Sequence, residues 1–349
     1  MRVLILAGGR GRRLWPLTLS RPKPMLPVGD RPLLAHLLEQ LRAQGFPRVE
    51  LLAGARDGFR EAFPPGMRLT VRREARELGT AGAVRAVVEG SRRPLLVLMG
   101  DLWLRLDLRR LVRHHREAGG LVTLALLRRR DPGRLGYARC RGATVERFVE
   151  KPGRVAPGFL ASAGIYVLEP AALSWLPPGQ RRDFGREVLP RLCEAGSVRG
   201  CLLRGAWRDV GEVRDYLAVQ GDMLTPGPGL LLGADSRVEA TAQLQPPVVL
   251  GRGCRVERGA RLGGCVLWDG VQVEAGAVLE RCVLADGCVV GEGARVGARA
   301  MLGARVTLGA GSTVEPNTRV PPDVRIPAGR RVGPADLSRR GGPRCASGL

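Results

Sequence analysis

A large aliphatic residue recurs at every sixth position near the C-terminal end of this chain. Leu284, Val290, Val296, Leu302, Leu308, Val314, Val320 and Ile326 form an unbroken series, and Leu250, Val256 and Leu262 form an earlier one. Between them CVLWDG at Cys265 returns as CVLADG at Cys282, where the repeat drops one residue. Such a period predicts a left-handed parallel β-helix of hexapeptide repeats. Each hexad buries one aliphatic side chain, which does not offset the entropy lost in ordering six backbone units, so stacked coils must supply the difference. The position two before each inward aliphatic is nearly always small: Cys254, Ala260, Cys265, Ala277, Cys282, Cys288, Ala294, Ala300, Ser312 and Thr318. The four repeat cysteines occupy this slot, which predicts packed structural thiols rather than metal ligands; the chain has no C-x-x-C pair.

Upstream the texture differs. Up to about Asp222, apolar runs (RVLILA, RVELLAG, PLLVLMG, LVTLALL, GIYVLE) alternate with helical patterns such as RPLLAHLLEQLRAQG, whose leucines 33, 34, 37, 38 and 41 mark one face. This alternation predicts an α/β domain with a mainly parallel mixed sheet. LTPGPG reads as a linker. The expected organisation is therefore an α/β domain over 1–223, a linker over 224–232, the β-helix over 233–332 and a disordered tail over 333–349. No apolar run is long enough to span a membrane, and the N-terminus lacks a secretory pattern, so a cytoplasmic protein without a membrane partner is expected.

The formal charge of +23 raises the question of a polyanionic partner. The excess is arginine spread along the chain, with no basic block and no interleaved aromatics, so no specific nucleic-acid binding is expected. Against that background the only two lysines, Lys23 and Lys151, stand out.

The loop that follows the first strand, LAGGRGRRLWPLT, has the composition of an anion cradle. It fails the dinucleotide fingerprint, because Leu14 stands where a third glycine is required, and it lacks the G-K-[ST] of a Walker loop. What remains is a strand-loop-helix whose glycine amides and guanidinium groups can approach a phosphate. The run GGRGRRLWPLTLSRPKPMLPVGDRPLL resembles the opening signature of the sugar-1-phosphate nucleotidylyltransferases. The resemblance continues in order through ELGTAGA (77–83), MGD (99–101), FVEKP (148–152), SAGIYVLEP (162–170) and WRDVG (207–211). One branch of that family also carries a C-terminal hexapeptide β-helix.

This resemblance implies a Rossmann-like, GT-A-like nucleotidyltransferase fold and a reaction in which a sugar 1-phosphate displaces pyrophosphate from a nucleoside triphosphate. Since both reactants are anions, catalysis should consist of positioning and charge neutralisation. By resemblance, Arg13 and Lys23 act on the triphosphate, and Leu6, Ala7, Gly8, Gly9, Gly11, Gly79, Thr80 and Gly82 line the nucleotide. Gly136, Glu150, Lys151 and Ser162 receive the sugar phosphate, and Asp101 and Asp209 are the candidate ligands of Mg²⁺. Arg12 and Ser162 depart from the family pattern, which has Ser or Thr before the motif arginine and often Asn before A-G-I-Y.

Within the family, P-K-P-M, L-G-T-A-G and the β-helix most resemble the mannose-1-phosphate guanylyltransferases, which implies GTP and mannose 1-phosphate as substrates. Glucose-1-phosphate thymidylyl- or uridylyltransferases share much of the pattern, and a catalytically silent nucleotide-sugar-binding paralogue is the alternative of another class. The three histidines, His36, His114 and His115, all precede the β-helix, so that domain is expected to serve homo-oligomer assembly or regulation rather than acetyl transfer. His114 and His115 read as a polar helix end.

Overall fold

The apolar runs of the N-terminal region form the centre of a nine-stranded mixed sheet in the computed structural model, which describes residues 1–338 apart from 55–57, 75, 89, 130 and 132. By internal contacts the chain divides into two units, Met1–Gly9 with Leu34–Asp209, and Arg10–Leu33 with Val210–Leu349.

The strands up to Asp209 are β1 (Arg2–Ala7), β2 (Pro27–Val28), β3 (Arg31–Pro32), β4 (Arg48–Ala53), β5 (Arg68–Arg73), β6 (Leu95–Met99) and β7 (Leu102–Leu106), then β8 (Val122–Leu127), β9 (Gly136–Arg141), β10 (Thr144–Glu150), β11 (Phe159–Leu168), β12 (Val198–Leu202) and β13 (Gly205–Asp209). The first unit's sheet has the order β5-β4-β1-β6-β11-β8-β12-β10-β9. Its first four strands are parallel. β1 and β6 read as continuous hydrophobic runs because both of their faces are covered, and Val3, Leu4, Ile5 and Leu95 to Leu98 are all buried. β11 then enters antiparallel between β6 and β8, and β9 and β10 form an antiparallel hairpin. Direction is the property that alternating apolar runs do not encode.

Helix α1 (Leu17–Ser20) precedes α2 (Leu33–Ala43), which buries the five leucines of its predicted face. After α3 (Gly79–Val88), the amphipathic α4 (Leu108–Ala118) places His115 on its buried face, with Nδ1 2.8 Å from Thr123 Oγ1 and Nε2 3.3 Å from Glu169 Oε1. His115 is thus a satisfied core histidine, not part of a polar helix end.

The second unit contains three six-stranded parallel sheets, opening with Leu230–Leu232, Arg237–Val238 and Gln243–Gln245 and closing with Arg319–Val320, Arg325–Ile326 and Arg331–Val332. This is the expected β-helix. One inward column runs Leu250, Leu267, Leu284, Leu302, Val320. Cys254, Cys265, Cys282, Cys288, Ser312 and Thr318 are fully buried, as the small-residue slot requires, and the described cysteines are all free. Most equivalent rungs lie 18 residues apart, but Cys265 and Cys282 are separated by 17 and their sulfurs lie 3.7 Å apart. The short coils turn their corner through Gly264 and Arg281, at φ of +64° and +43°.

Helix α5 (Leu189–Glu194) belongs to the first unit, and α6 (Val213–Leu224) to the second. α6 ends at Leu224 and the first β-helix strand starts at Leu230, so the span 224–232 is not a linker throughout. The segment from 333, expected as a disordered tail, opens with a short helix, α7 (Pro334–Ser338), whose Leu337 packs on the β-helix core; 339–349 lie outside the described residues.

Candidate active site

In the first unit, β1 is followed on one side by β4 and β5 and flanked on the other by β6, so the strand order reverses between β1 and β6. Open α/β sheets bind ligands at such a reversal, beyond the carboxyl ends of the strands. Leu6 lies in register with Met99, so the Gly8–Gly9 loop and the Gly100–Asp101 turn leave the sheet side by side. Gly100 N–H donates to the Leu6 carbonyl at 2.8 Å, and a Cβ at Gly100 would stand 2.9 Å from that oxygen, which explains the glycine of M-G-D.

Asp209 reaches this edge by a route the sequence does not reveal. β13 is not a strand of the main sheet; it pairs antiparallel with β7, and Asp209 lies opposite Leu102, the residue after Asp101. Asp209 therefore lies one position along from Asp101 across the ladder, and each of the two residues is partly exposed. Trp207 of the W-R-D motif donates its indole N–H to the Ala163 carbonyl at 3.0 Å, where β11 bulges between Ser162 and Tyr166. Gly164 in that bulge has φ +68°, and a Cβ there would meet Met99 Cγ at 3.2 Å and Leu102 Cδ1 at 4.0 Å, so S-A-G-I-Y runs beside the turn that carries Asp101.

Two expected ligand-lining glycines meet the chain's own backbone. A Cβ on Gly79 would come 2.5 Å from the Arg182 carbonyl, and one on Gly82 would come 2.4 Å from that of Gln180. The amides of Ala81 and Gly82 donate to the Arg182 carbonyl at 3.0 and 3.2 Å. Thr80 Oγ1 donates to Asp183 Oδ2 at 3.0 Å and accepts from Phe184 N–H at 2.9 Å.

The 182–185 segment also closes over Glu150. Cβ atoms on Gly185 and Gly136 would lie 2.3 and 2.8 Å from Glu150 Oε2, so both glycines make room for this carboxylate. Burial raises the Glu150 pKa above its ordinary value; Lys151 opposes the shift, and Asp183 adds to it. Lys151 Nζ lies 3.5 Å from Glu150 Oε1, and its backbone is left-handed at φ 49°. Ser162 is buried, with Oγ 3.4 Å from the amide of Gly164. Asp183 and Gly185 are not singled out by the sequence, although D-F-G at 183–185 was a visible signal. Glu74 is a third such residue. A Cβ on Gly8 would stand 2.7 Å from Glu74 Oε2, and burial, with a smaller contribution from Glu77, raises the Glu74 pKa.

The second unit gathers the remaining predicted residues. Gly11, at φ 62°, lets Thr18 and Lys23 close in, since a Cβ there would meet Thr18 Cγ2 at 2.8 Å and Lys23 Cβ at 3.2 Å. Thr18 Oγ1 donates to the Gly11 carbonyl at 3.3 Å. Arg13 Nη1 pairs with Glu212 Oε1 at 3.2 Å, an ion pair beside the start of α6.

A sheet whose strand order reverses beneath glycine turns, with Asp101 and the Asp209 backbone at its edge, in a chain that ends in a hexapeptide β-helix, defines an α/β protein of nucleotidyl-transferring architecture with a second repeat domain. The chain belongs to the nucleotidyl transferase family, which matches residues 2–225, and the GMPPB C-terminal domain matches residues 228–327. It is 34% identical to mannose-1-phosphate guanylyltransferase of Mycobacterium tuberculosis, over 78% of this chain and 81% of that protein. It is 30% identical to mannose-1-phosphate guanylyltransferase 1 of Arabidopsis thaliana, over 78% and 83%. The fold is shared with a Bacillus anthracis protein assigned as a glucose-1-phosphate thymidylyltransferase, at a TM-score of 0.56 and 24% identity, covering 63% of this chain and 94% of that one. Among the described residues no helix is long and apolar enough to cross a membrane.

Proposed function

We propose that this chain is a sugar-1-phosphate nucleotidylyltransferase that joins GTP and mannose 1-phosphate into GDP-mannose and pyrophosphate. A phosphate oxygen of the sugar attacks the α-phosphorus, the bond from that phosphorus to the bridging β-oxygen breaks, and pyrophosphate leaves. The observation that supports the reading most is the pairing of Asp209 with Leu102, which sets the backbone of Asp209 across from the residue that follows Asp101, at the end of the strand that flanks the reversal of the sheet.

Gly8 and Gly9 offer close backbone approach to the nucleotide, while Arg13 and Lys23 neutralise the β- and γ-phosphates as they become the leaving group. Lys151 grips the phosphate of the incoming sugar, and Glu150 accepts its hydroxyls. Asp101 and Asp209 suit Mg²⁺. No group of three His, Cys, Asp or Glu side chains forms a cage among the described residues, and Mg²⁺ characteristically takes one or two carboxylates, completing its shell with phosphate oxygens and water. When bound, the ion would supply positive charge to the phosphates during transfer.

Glu74 supports the choice of guanine. Its carboxylate, poised over Gly8, offers two acceptor oxygens that match the two adjacent N–H donors on the Watson–Crick edge of guanine. Thymine and uracil present one such donor between two carbonyls. Pyrophosphate release should be measured across GTP, ATP, UTP and dTTP against mannose and glucose 1-phosphates. A preference for GTP with mannose 1-phosphate, relaxed toward other bases in Glu74→Gln, is the expected result. A preference for dTTP or UTP with glucose 1-phosphate would replace this substrate assignment, and no turnover with any pair would overturn the enzymatic reading.

A further inference from the structure

The WDG and ADG turns of the β-helix have no part in the chemistry above, yet both contact the segment that carries Lys23. Arg21 Nη2 lies 2.9 and 3.0 Å from the two carboxylate oxygens of Asp286, and its guanidinium carbon is 5.0 Å from the centre of the Trp268 ring. Trp268 is only 2% exposed, although it sits at a turn. Its indole N–H donates to Tyr216 Oη at 3.0 Å, and that hydroxyl donates to the Pro27 carbonyl at 2.5 Å. Gln220 donates to the same carbonyl at 3.0 Å and accepts from the Gly29 amide at 2.7 Å. Arg21, Pro27 and Gly29 are thus fixed on both sides of Lys23 by two turns of the β-helix and by α6.

We propose that Asp286 and Trp268 are positioning residues for Lys23, and that the β-helix is the rigid mount of the triphosphate-gripping loop. Lys23 is a flexible point charge, and its usefulness depends on where its backbone is held. The stacked coils provide a rigid support for that backbone because neighbouring rungs are hydrogen-bonded to each other. An ion pair and a stacked indole, both within the same unit as Lys23, set the loop's register against it. The two turns are also tied to each other: Asp269 N–H donates to Asp286 Oδ1 at 3.3 Å, so the turn after Trp268 orients the carboxylate that receives Arg21.

This inference rests on the assignment of Lys23 to the triphosphate, and the test separates the two. In the full-length chain, Asp286→Ala, Asp286→Asn, Asp286→Glu, Trp268→Phe and Lys23→Ala are compared by melting, amide hydrogen exchange and steady-state pyrophosphate release, with GTP and mannose 1-phosphate varied in turn. Asp286→Asn and Asp286→Ala are expected to speed exchange at 21–29 and to raise KM for GTP about three- to tenfold, while KM for mannose 1-phosphate stays within about twofold. Asp286→Glu is expected to restore most of the loss. Asp286→Asn is nearly isosteric, so it decides the matter if Asp286→Ala fails to fold. Unchanged exchange over 21–29, or equal rises in both KM values, overturns the proposal. If Lys23→Ala leaves KM for GTP unchanged, the role of Lys23 falls, and the exchange result alone then decides whether the β-helix fixes this loop.

Discussion

Asp209 ends one strand of a two-stranded antiparallel ladder directly opposite Leu102, so the turn bearing Asp101 has the second carboxylate residue as its cross-strand neighbour. Neither strand of this ladder belongs to the nine-stranded sheet, and the Trp207 indole ties it to the bulge at Ala163. If the pair serves the phosphates, removing one charge while keeping the shape should abolish turnover without unfolding the chain. Asp101→Asn and Asp209→Asn are each expected to lower kcat by about a hundredfold or more, at an unchanged circular dichroism spectrum. Wild-type rates in either variant would exclude it from the chemistry.

Lys151 emerges from the end of β10 with left-handed backbone geometry, its ammonium group beside Glu150. Lys151→Ala should raise KM for the sugar phosphate about ten- to hundredfold and leave KM for GTP nearly unchanged, as expected for the loss of one charge-assisted contact. An effect confined to GTP would reassign this lysine to the triphosphate.

Glu150 supplies a pH signature. Burial raises its folded pKa above 4.5, so just above pH 4.5 the native protein retains a proton that the unfolded chain has released. Stability in that window must therefore fall as pH rises, and the contribution is fully present below the unfolded pKa. Chemical denaturation of Glu150→Gln at a series of pH values should show a flatter profile than wild type there. Parallel profiles would mean that the carboxylate titrates normally.

The glycines of L-G-T-A-G lead to a prediction about folding. Gly79 has φ +69°, and a Cβ would press on the Arg182 carbonyl; at Gly82 a Cβ would press on that of Gln180. Gly82→Ala is expected to destabilise the protein by about 1–3 kcal/mol, and Gly79→Ala by at least as much, because it adds backbone strain to the overlap. Denaturant titration measures both. Normal stability with weakened GTP binding would instead favour direct contact between these glycines and the nucleotide.

Much of this molecule is legible one residue at a time. The period of six forces stacked coils, because no single coil buries enough; the small slot fixes the place of Cys254, Cys265, Cys282 and Cys288; the apolar runs of β1 and β6 declare strands covered on both faces. Gly8, Gly9 and Asp101 follow those strands in the sequence, and strand register alone brings them to one edge.

What required the tertiary structure is whatever depends on pairing across long separations in the chain. That β13 leaves the main sheet to pair with β7, that 182–185 closes over Glu150 and Thr80, and that Arg21 is held by Asp286, 265 residues away, are decided by pairwise contacts for which the chain carries no local periodicity. Periodicity reports which face of an element is buried; it does not specify the partner that buries it.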